Sequence, residues 1–137
     1  MASPTFFNAW KDNVVEVVNS ATDQFVVALT AAANAPVATN SVLADLTQIS
    51  YTNLSSRNIT TSSSSQTSGT YSLVFADLTL TASGGSVATF RYVVIYDDTP
   101  TSPADPLVLF YDYGSNVTLA DTETFLIDFG SSVYTLA

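Results

Sequence analysis

Apolar residues in this chain fall into short runs separated by turn residues. Most of the runs have the two-residue period of a strand and not the three-to-four spacing of a helix. In Phe90–Asp97 (FRYVVIYD), Phe90, Tyr92, Val94 and Tyr96 alternate with Arg91, Val93, Ile95 and Asp97. Leu107–Tyr113 (LVLFYDY) is almost continuously apolar, and Gly114 is read as its end. Between the two lies Asp98–Pro106, whose prolines lack the N–H that a central strand needs. The pattern predicts a strand, a surface loop and a second strand, with both strands central in a sheet.

The remaining runs extend the same reading. Gln24–Thr30 (QFVVALT), Tyr51–Ile59, Thr122–Phe129 and Val133–Leu136 are predicted strands. In Tyr71–Ala82 (YSLVFADLTLTA), Tyr71, Leu73 and Phe75 share a face, but Leu78 and Leu80 fall one position out of step. One extra residue restores the face, so a β-bulge is predicted near Asp77. Ser83-Gly84-Gly85-Ser86 is a turn. Thr60–Gly69 (TTSSSSQTSG) resembles a linker in composition, yet Thr and Ser suit a wet strand face, so a polar edge strand or a long hairpin loop is expected. Ala31–Asn40 is a loop, and Ser41–Ser50 fits a helix or an irregular segment. Strands at this spacing, with turns between them, indicate an all-β fold that is β-sandwich or jelly-roll-like, with an open barrel as the alternative.

One segment departs from the pattern. Ser3-Pro4 is a plausible helix start, and Phe7, Trp10, Val14 and Val17 then follow helical spacing, which predicts a short helix from Thr5 to Val18. Residues 1–20 thus form an N-terminal helix or arm on a single domain spanning 1–137. Phe6, Phe7 and Trp10 have two readings: an aromatic anchor for a partner surface, or a lid closing one side of the sandwich.

Composition narrows the function. Apolar residues make up 47% of the chain and charged residues only 11%, a depletion that suggests apolar surface covered by a partner or by a second copy. Net charge is −9, and the three cations, Lys11, Arg57 and Arg91, are scattered along the chain. No basic patch can form, so direct binding to nucleic acid or to anionic lipid is not expected. No apolar run approaches the roughly 18 residues of a membrane span.

The chain has no His and no Cys, which excludes Ser-His-Asp and Cys-His catalysis and the usual zinc sites. No glycine-rich phosphate loop is present. Asp97, Asp98 and Asp105 flank one loop and Asp112 follows in the next strand. Oxygen ligands of this type suit calcium, but their spacing matches no metal loop, and Asp before Thr-Pro is ordinary turn chemistry. No enzyme activity and no cofactor are expected. Asp97 and Asp98 are instead assigned to a surface loop that contacts a neighbour. Arg91 is assigned to a structural ion pair with Asp77, Asp112 or Asp128, because a guanidinium–carboxylate fork is directional.

The runs FFNAWK, DQFVVALT, FADLTLTASGG, ATFRYVVIYDDTP, PLVLFYDYG, VTLADTETFLIDF and the terminal YTLA together resemble a group of small virion structural proteins of tailed bacteriophages. ATFRYVVIYDDTP followed by PLVLFYDYG is the most specific part. Leu80 stands where members of that group often carry Trp, and Val133-Tyr134 where a Gly-Ile or similar pair is common. The resemblance implies a structural component of the virion, foremost a head decoration or cement protein that binds the major capsid protein or other virion proteins, and a homo-oligomer, foremost a trimer. A tail, neck or fibre-associated adaptor is the alternative that the resemblance leaves open. A carbohydrate-binding module is the reading from a different class.

Overall fold

The computed structural model describes residues 2–137. In chain order the elements are β1 (Thr5–Phe6), α1 (Trp10–Glu16), β2 (Phe25–Thr30), β3 (Thr61–Thr67), β4 (Thr70–Phe75), β5 (Leu78–Thr81), β6 (Phe90–Asp97), β7 (Leu107–Val117), β8 (Thr124–Ile127) and β9 (Tyr134–Leu136). Short 3₁₀ turns occupy Ala32–Asn34 and Leu43–Asp45. The protein is all-β with a short helix.

One layer of the sandwich is a four-stranded antiparallel sheet in the order β1-β7-β6-β2. The facing layer is divided into β3-β4-β9 and the pair β5-β8. Aromatic contacts cross between the layers: Phe25 on β2 meets Phe75 on β4 at 5.0 Å, and Phe90 on β6 meets Phe125 on β8 edge-on at 5.3 Å. Phe25, Val27, Leu29, Val93, Ile95 and Leu109 project into this core from the large sheet, and Leu73, Phe75, Leu80 and Ile127 meet them from the divided layer.

The large sheet is buried on its other face too. Val26, Ala28, Val94, Tyr96 and Leu107 form a second core with Phe7, over which Leu43, Leu46 and Phe110 pack. This explains why β2 carries no polar alternation: all six of its residues are buried. The segment after β2 supplies the cover. Val42 bridges to Pro106, Leu43 N donates to Asp105 O at 3.0 Å, and Asp45 Oδ2 accepts the N–H groups of Ser41 and Val42 at 2.9 and 3.2 Å. Those donors hold the exposed Asp45 carboxyl below its ordinary range.

The outer edge of β2 is also covered. Ile49 N donates to Leu29 O, Val27 N to Arg57 O, and Ile59 N to Phe25 O. Covered edges cannot template pairing with another chain. Residues 51–59, expected as a strand, thus make only single bridges: Asn58 to Val26 on this edge, and Leu54 to Ala82 just after β5. The tyrosine hydroxyl of Tyr51 takes the N–H of Leu29 at 2.9 Å, and the guanidinium of Arg57 lies 3.7 Å over the Tyr51 ring. Side-chain bonds replace a ladder there.

Three further expectations change in detail. The phase slip in Tyr71–Ala82 is not a bulge: the strand ends at Phe75, and after Ala76-Asp77 the chain moves to another sheet as β5. Asp77 Oδ1 accepts the N–H of Phe129 at 3.1 Å and so secures the crossover. Bulges lie elsewhere, including between Phe90 and Tyr92. That one puts Phe90 on the same face as Val93 and not with Tyr92. β7 also passes through Gly114, although its ladder with β6 breaks after Asp112 and resumes at Val117. Gly114 has φ +90°, which lets the strand bend without ending. Finally, Thr60–Gly69 does contain the polar edge strand: β3 hairpins into β4 through Ser68 and Gly69, both at positive φ.

The Ser83–Ser86 turn gives a specific test. Gly85 has φ +152°, and a Cβ there would sit 2.6 Å from Asn53 Nδ2. Asn53 cannot yield freely, since Nδ2 donates to Ser86 O at 3.1 Å and its own carbonyl accepts Ser83 N at 2.9 Å. Gly85→Ala is expected to cost about 1–3 kcal/mol, the scale of an imposed backbone strain. Urea unfolding of both proteins measures it, and equal midpoints would refute the close approach.

Candidate functional site

The N-terminal aromatics are placed by a strand, not by one long helix. β1 pairs with β7 through Thr5↔Phe110 and Phe6↔Leu109, and Phe7 N extends the contact to Val108 O at 3.1 Å. The helix starts only at Trp10, with Ala9 as a cap that makes no side-chain bond. Ser3 and Pro4 therefore do not start it. The β-branched run from Val14 disfavours propagation, and the helix stops at Glu16.

This geometry removes Phe7 and Trp10 from the surface. Phe7 is fully buried against Phe110, with ring centroids 5.3 Å apart. Trp10 is 3% exposed and meets Tyr134 edge-on at 5.8 Å. Neither can anchor a partner while the chain is folded; both close the sandwich as a lid does. Phe6 is half-buried and packs against the main core. Asp97, assigned to the surface loop, is fully buried, because it is still the last ladder residue of β6, opposite Phe25. Asp98 is exposed.

Arg91 pairs with Asp112: it sits in the bulge between Phe90 and Tyr92, next to Tyr92, which lies opposite Asp112 across the β6–β7 ladder. Arg91 Nε donates to Oδ1 at 2.9 Å and an Nη to Oδ2 at 3.1 Å, a two-point fork. The same Oδ1 accepts Gly114 N at 2.8 Å. The paired guanidinium first, then the Gly114 N–H, holds the Asp112 carboxyl below its usual range. The fork thus secures the point where β7 leaves the ladder. Asp77 and Asp128 are engaged elsewhere, accepting Phe129 N and Gly130 N.

With the lid in place, the feature best shaped for a contact is an open groove of about 700 Å³ between α1 and the β3-β4-β9 sheet. Val14 and Val18 form the helix side, Tyr71, Tyr134 and Leu136 the sheet side, and Ser20 and Ser64 its polar margin. Register explains the sheet side: Tyr71 lies opposite Leu136, and Leu73 opposite Tyr134, so the inward faces coincide. Trp10 supports Tyr134 from beneath. The tyrosine hydroxyls are already satisfied, Tyr71 by Ser64 at 2.6 Å and Tyr134 by Ser20 at 2.7 Å. Burial pushes the Tyr134 phenol up to about 12, so it stays neutral.

Two strongly exposed apolar side chains border this groove: Val15 at 77% and Leu136 at 62%. No charged side chain lines it, although acids outnumber bases twelve to three in the chain. Val15 falls outside the face of Phe7, Trp10, Val14 and Val17 wherever the helix begins, so sequence reasoning could have found it. Counted from Trp10, Val14 is one turn on and faces inward, while Val15 is turned away. An unpaired β-branched residue on a helix exterior is the signal that was available.

Chemistry is sparse elsewhere. Among the described residues, no three His, Cys, Asp or Glu side chains are arranged to hold a metal. No helix there is long and apolar enough to cross a membrane. No family model, no curated protein and no solved structure matches the chain.

Proposed function

We propose that the chain is a non-enzymatic structural protein of a tailed-bacteriophage virion, and that it decorates and cements the head lattice by docking the α1/β9 groove onto an apolar segment of the major capsid protein. The observation that carries this reading is the uncharged groove bordered by exposed Val15 and Leu136 on a strongly acidic chain. Acidity holds copies apart in solution at long range. Attachment must then come from burying apolar surface at short range, and the groove is where such surface is concentrated. Each contact is modest; repetition over a symmetric lattice multiplies its effect. The resemblance noted in the sequence supports the virion assignment, and the tightly covered β2 edge suits a protein that must not polymerise by strand pairing.

Copy number on purified virions tests the assignment: hundreds per particle are expected of a head cement, a few to tens would place it in the tail or neck, and absence would reject it. The groove has its own test. Val15→Ser with Leu136→Ser leaves net charge unchanged. It is expected to weaken retention on capsid shells by about tenfold or more, since each lost apolar contact removes roughly 1 kcal/mol or more. Sedimentation of the variant with shells measures it. Undiminished co-sedimentation would move the contact off this groove.

A further inference from the structure

At the end of β6 two consecutive acids meet opposite fates. Successive strand side chains leave opposite faces, so Asp98 reaches solvent while Asp97 turns inward with 0% exposure. Asp97 Oδ1 accepts Thr99 N at 3.1 Å. Its Oδ2 is buried and has no hydrogen-bond donor. The neighbouring carboxyl is that of Asp23, two residues ahead of Phe25, which lies opposite Asp97 in the ladder; Asp23 Oδ2 itself accepts Asn19 N at 3.0 Å.

Two carboxylates in contact, one of them out of water, cannot both hold a negative charge cheaply. Among the described residues, no cation relieves them. Arg57 is engaged with Val27 O and the Tyr51 ring, Arg91 with Asp112, and Lys11 is exposed on α1. The other charge bearing on Asp97 is Asp98, which itself faces Asp105.

We propose that Asp97 and Asp23 share one proton, so that Asp97 is the donor tying the lead-in of β2 to the base of the Asp98–Pro106 loop, and that losing this proton loosens the loop. The junction is built for such a tie. Gln24 N donates to Thr99 Oγ1 at 2.8 Å, Asp98 N to Gln24 O at 2.9 Å, and Asp97 N to Pro106 O at 2.9 Å. The shared proton supplies the one bond that these fixed contacts leave unmade. Without it the buried Asp97 carboxylate stands beside the acids of the same junction with no proton between them.

Burial, followed by the hydrogen bond and charge of Asp23, pushes the Asp97 carboxyl up to about 8. The unfolded chain releases the same proton near the ordinary value of about 4. Between those values the native state binds the extra proton, so stability is complete at the acid end, falls as pH rises, and levels off above about 8.

Thermal unfolding from about pH 5 to about pH 9 therefore tests the proposal in the wild type, Asp97→Asn and Asp98→Asn. An Asn at 97 keeps an acceptor for Thr99 and offers Asp23 a permanent donor. Wild type and Asp98→Asn are expected to lose melting temperature up to about pH 8 and to level off beyond it. Asp97→Asn is expected to stay flat and to exceed the wild type at the alkaline end. Parallel slopes in wild type and Asp97→Asn would overturn the shared proton. Should Asp97→Asn fail to fold, carboxyl carbon NMR of the wild type decides: titration of Asp97 in the ordinary carboxylate range refutes the proposal, and a strongly raised midpoint supports it. Calcium chloride added at the alkaline end provides the last arm. Recovery of the melting temperature in wild type but not in Asp97→Asn would make the pair a cation site and overturn the proton reading.

Discussion

Trp10→Ala is expected to lower the unfolding free energy by about 3–5 kcal/mol, the usual cost of truncating a buried tryptophan, while the folded fraction still binds capsid shells. Trp10 is 3% exposed, and it packs edge-on against Tyr134 at 5.8 Å. Through that contact it joins the N-terminal helix to β9, a strand of three residues held by one neighbour. Besides its ladder with β4, β9 is held by the Tyr134–Ser20 hydrogen bond at 2.7 Å and the Tyr71–Tyr134 ring contact at 5.6 Å, and neither fills the space that an alanine at position 10 would leave. The two readings of the N-terminal aromatics then separate cleanly. A lid residue costs stability and spares binding; an anchor does the reverse. Denaturant unfolding together with shell co-sedimentation below the melting temperature reads both quantities. Trp10→Phe, which keeps a ring under Tyr134, is expected to recover much of the loss. Lost binding with unchanged stability would restore Trp10 as an anchor and displace the groove.

Ala28→Asp is expected to be as damaging, about 3–5 kcal/mol, because it strands a carboxylate in an apolar layer with no counter-charge. Ala28 is fully buried in the second core, with Val26, Val94, Phe7 and Leu107 around it and Leu43 and Leu46 packed over them. A sheet with one wet face would accept an acid at this position almost without penalty. Circular dichroism and urea titration of the variant therefore measure whether the segment after β2 covers the sheet. A stability close to that of the wild type would show the outer face of β2 to be open. The charge is chosen over a larger apolar residue because overpacking would penalise either arrangement.

Much of the β-structure was legible because period-two alternation reports directly on which face is dry. Phe125, Ile127 and Phe129 keep their phase in the structure and all are buried. Tyr71, Leu73 and Phe75 share the inward face that their spacing indicated. The hydroxyl-rich segment before Gly69 forms an edge strand, since Thr and Ser satisfy a wet face without adding apolar surface. Alternation misled at Phe90, where a bulge reverses the face, and at Asp77, where a phase slip marks a change of sheet and not an inserted residue. Either event produces the same skipped position in sequence; only the partner strands tell them apart. The helix misled for a related reason. Phe7, Trp10 and Val14 suit a helical face, but Thr5 and Phe6 gain more by pairing with β7.

The candidate contact surface was the least legible part. Phe7, Trp10 and Asp97 are residue types common at interfaces, yet each is buried by its own chain. Type alone cannot tell a buried aromatic from an exposed one, nor show that the second of two adjacent acids turns outward. The exposure of Leu136 depends on β9 lying outermost in its sheet, which no local pattern shows.

By itself, then, the sequence determined the class of fold, the central pairing of β6 with β7, the polar edge strand, and the absence of imidazole and thiol chemistry. These follow from local periodicity and composition, which need no knowledge of distant neighbours. The tertiary structure decided the rest. It chose Asp112 among three candidate acids for Arg91, because a bulge in β6 beside the Tyr92–Asp112 pair brings the guanidinium to that carboxylate. It covered the outer face of the large sheet with residues 41–49, turning β2 from half-buried to wholly buried. It also brought Asp23 against Asp97 and aligned Tyr71 with Leu136. Each of these depends on contacts between residues far apart in the chain, where neither periodicity nor residue type carries a signal.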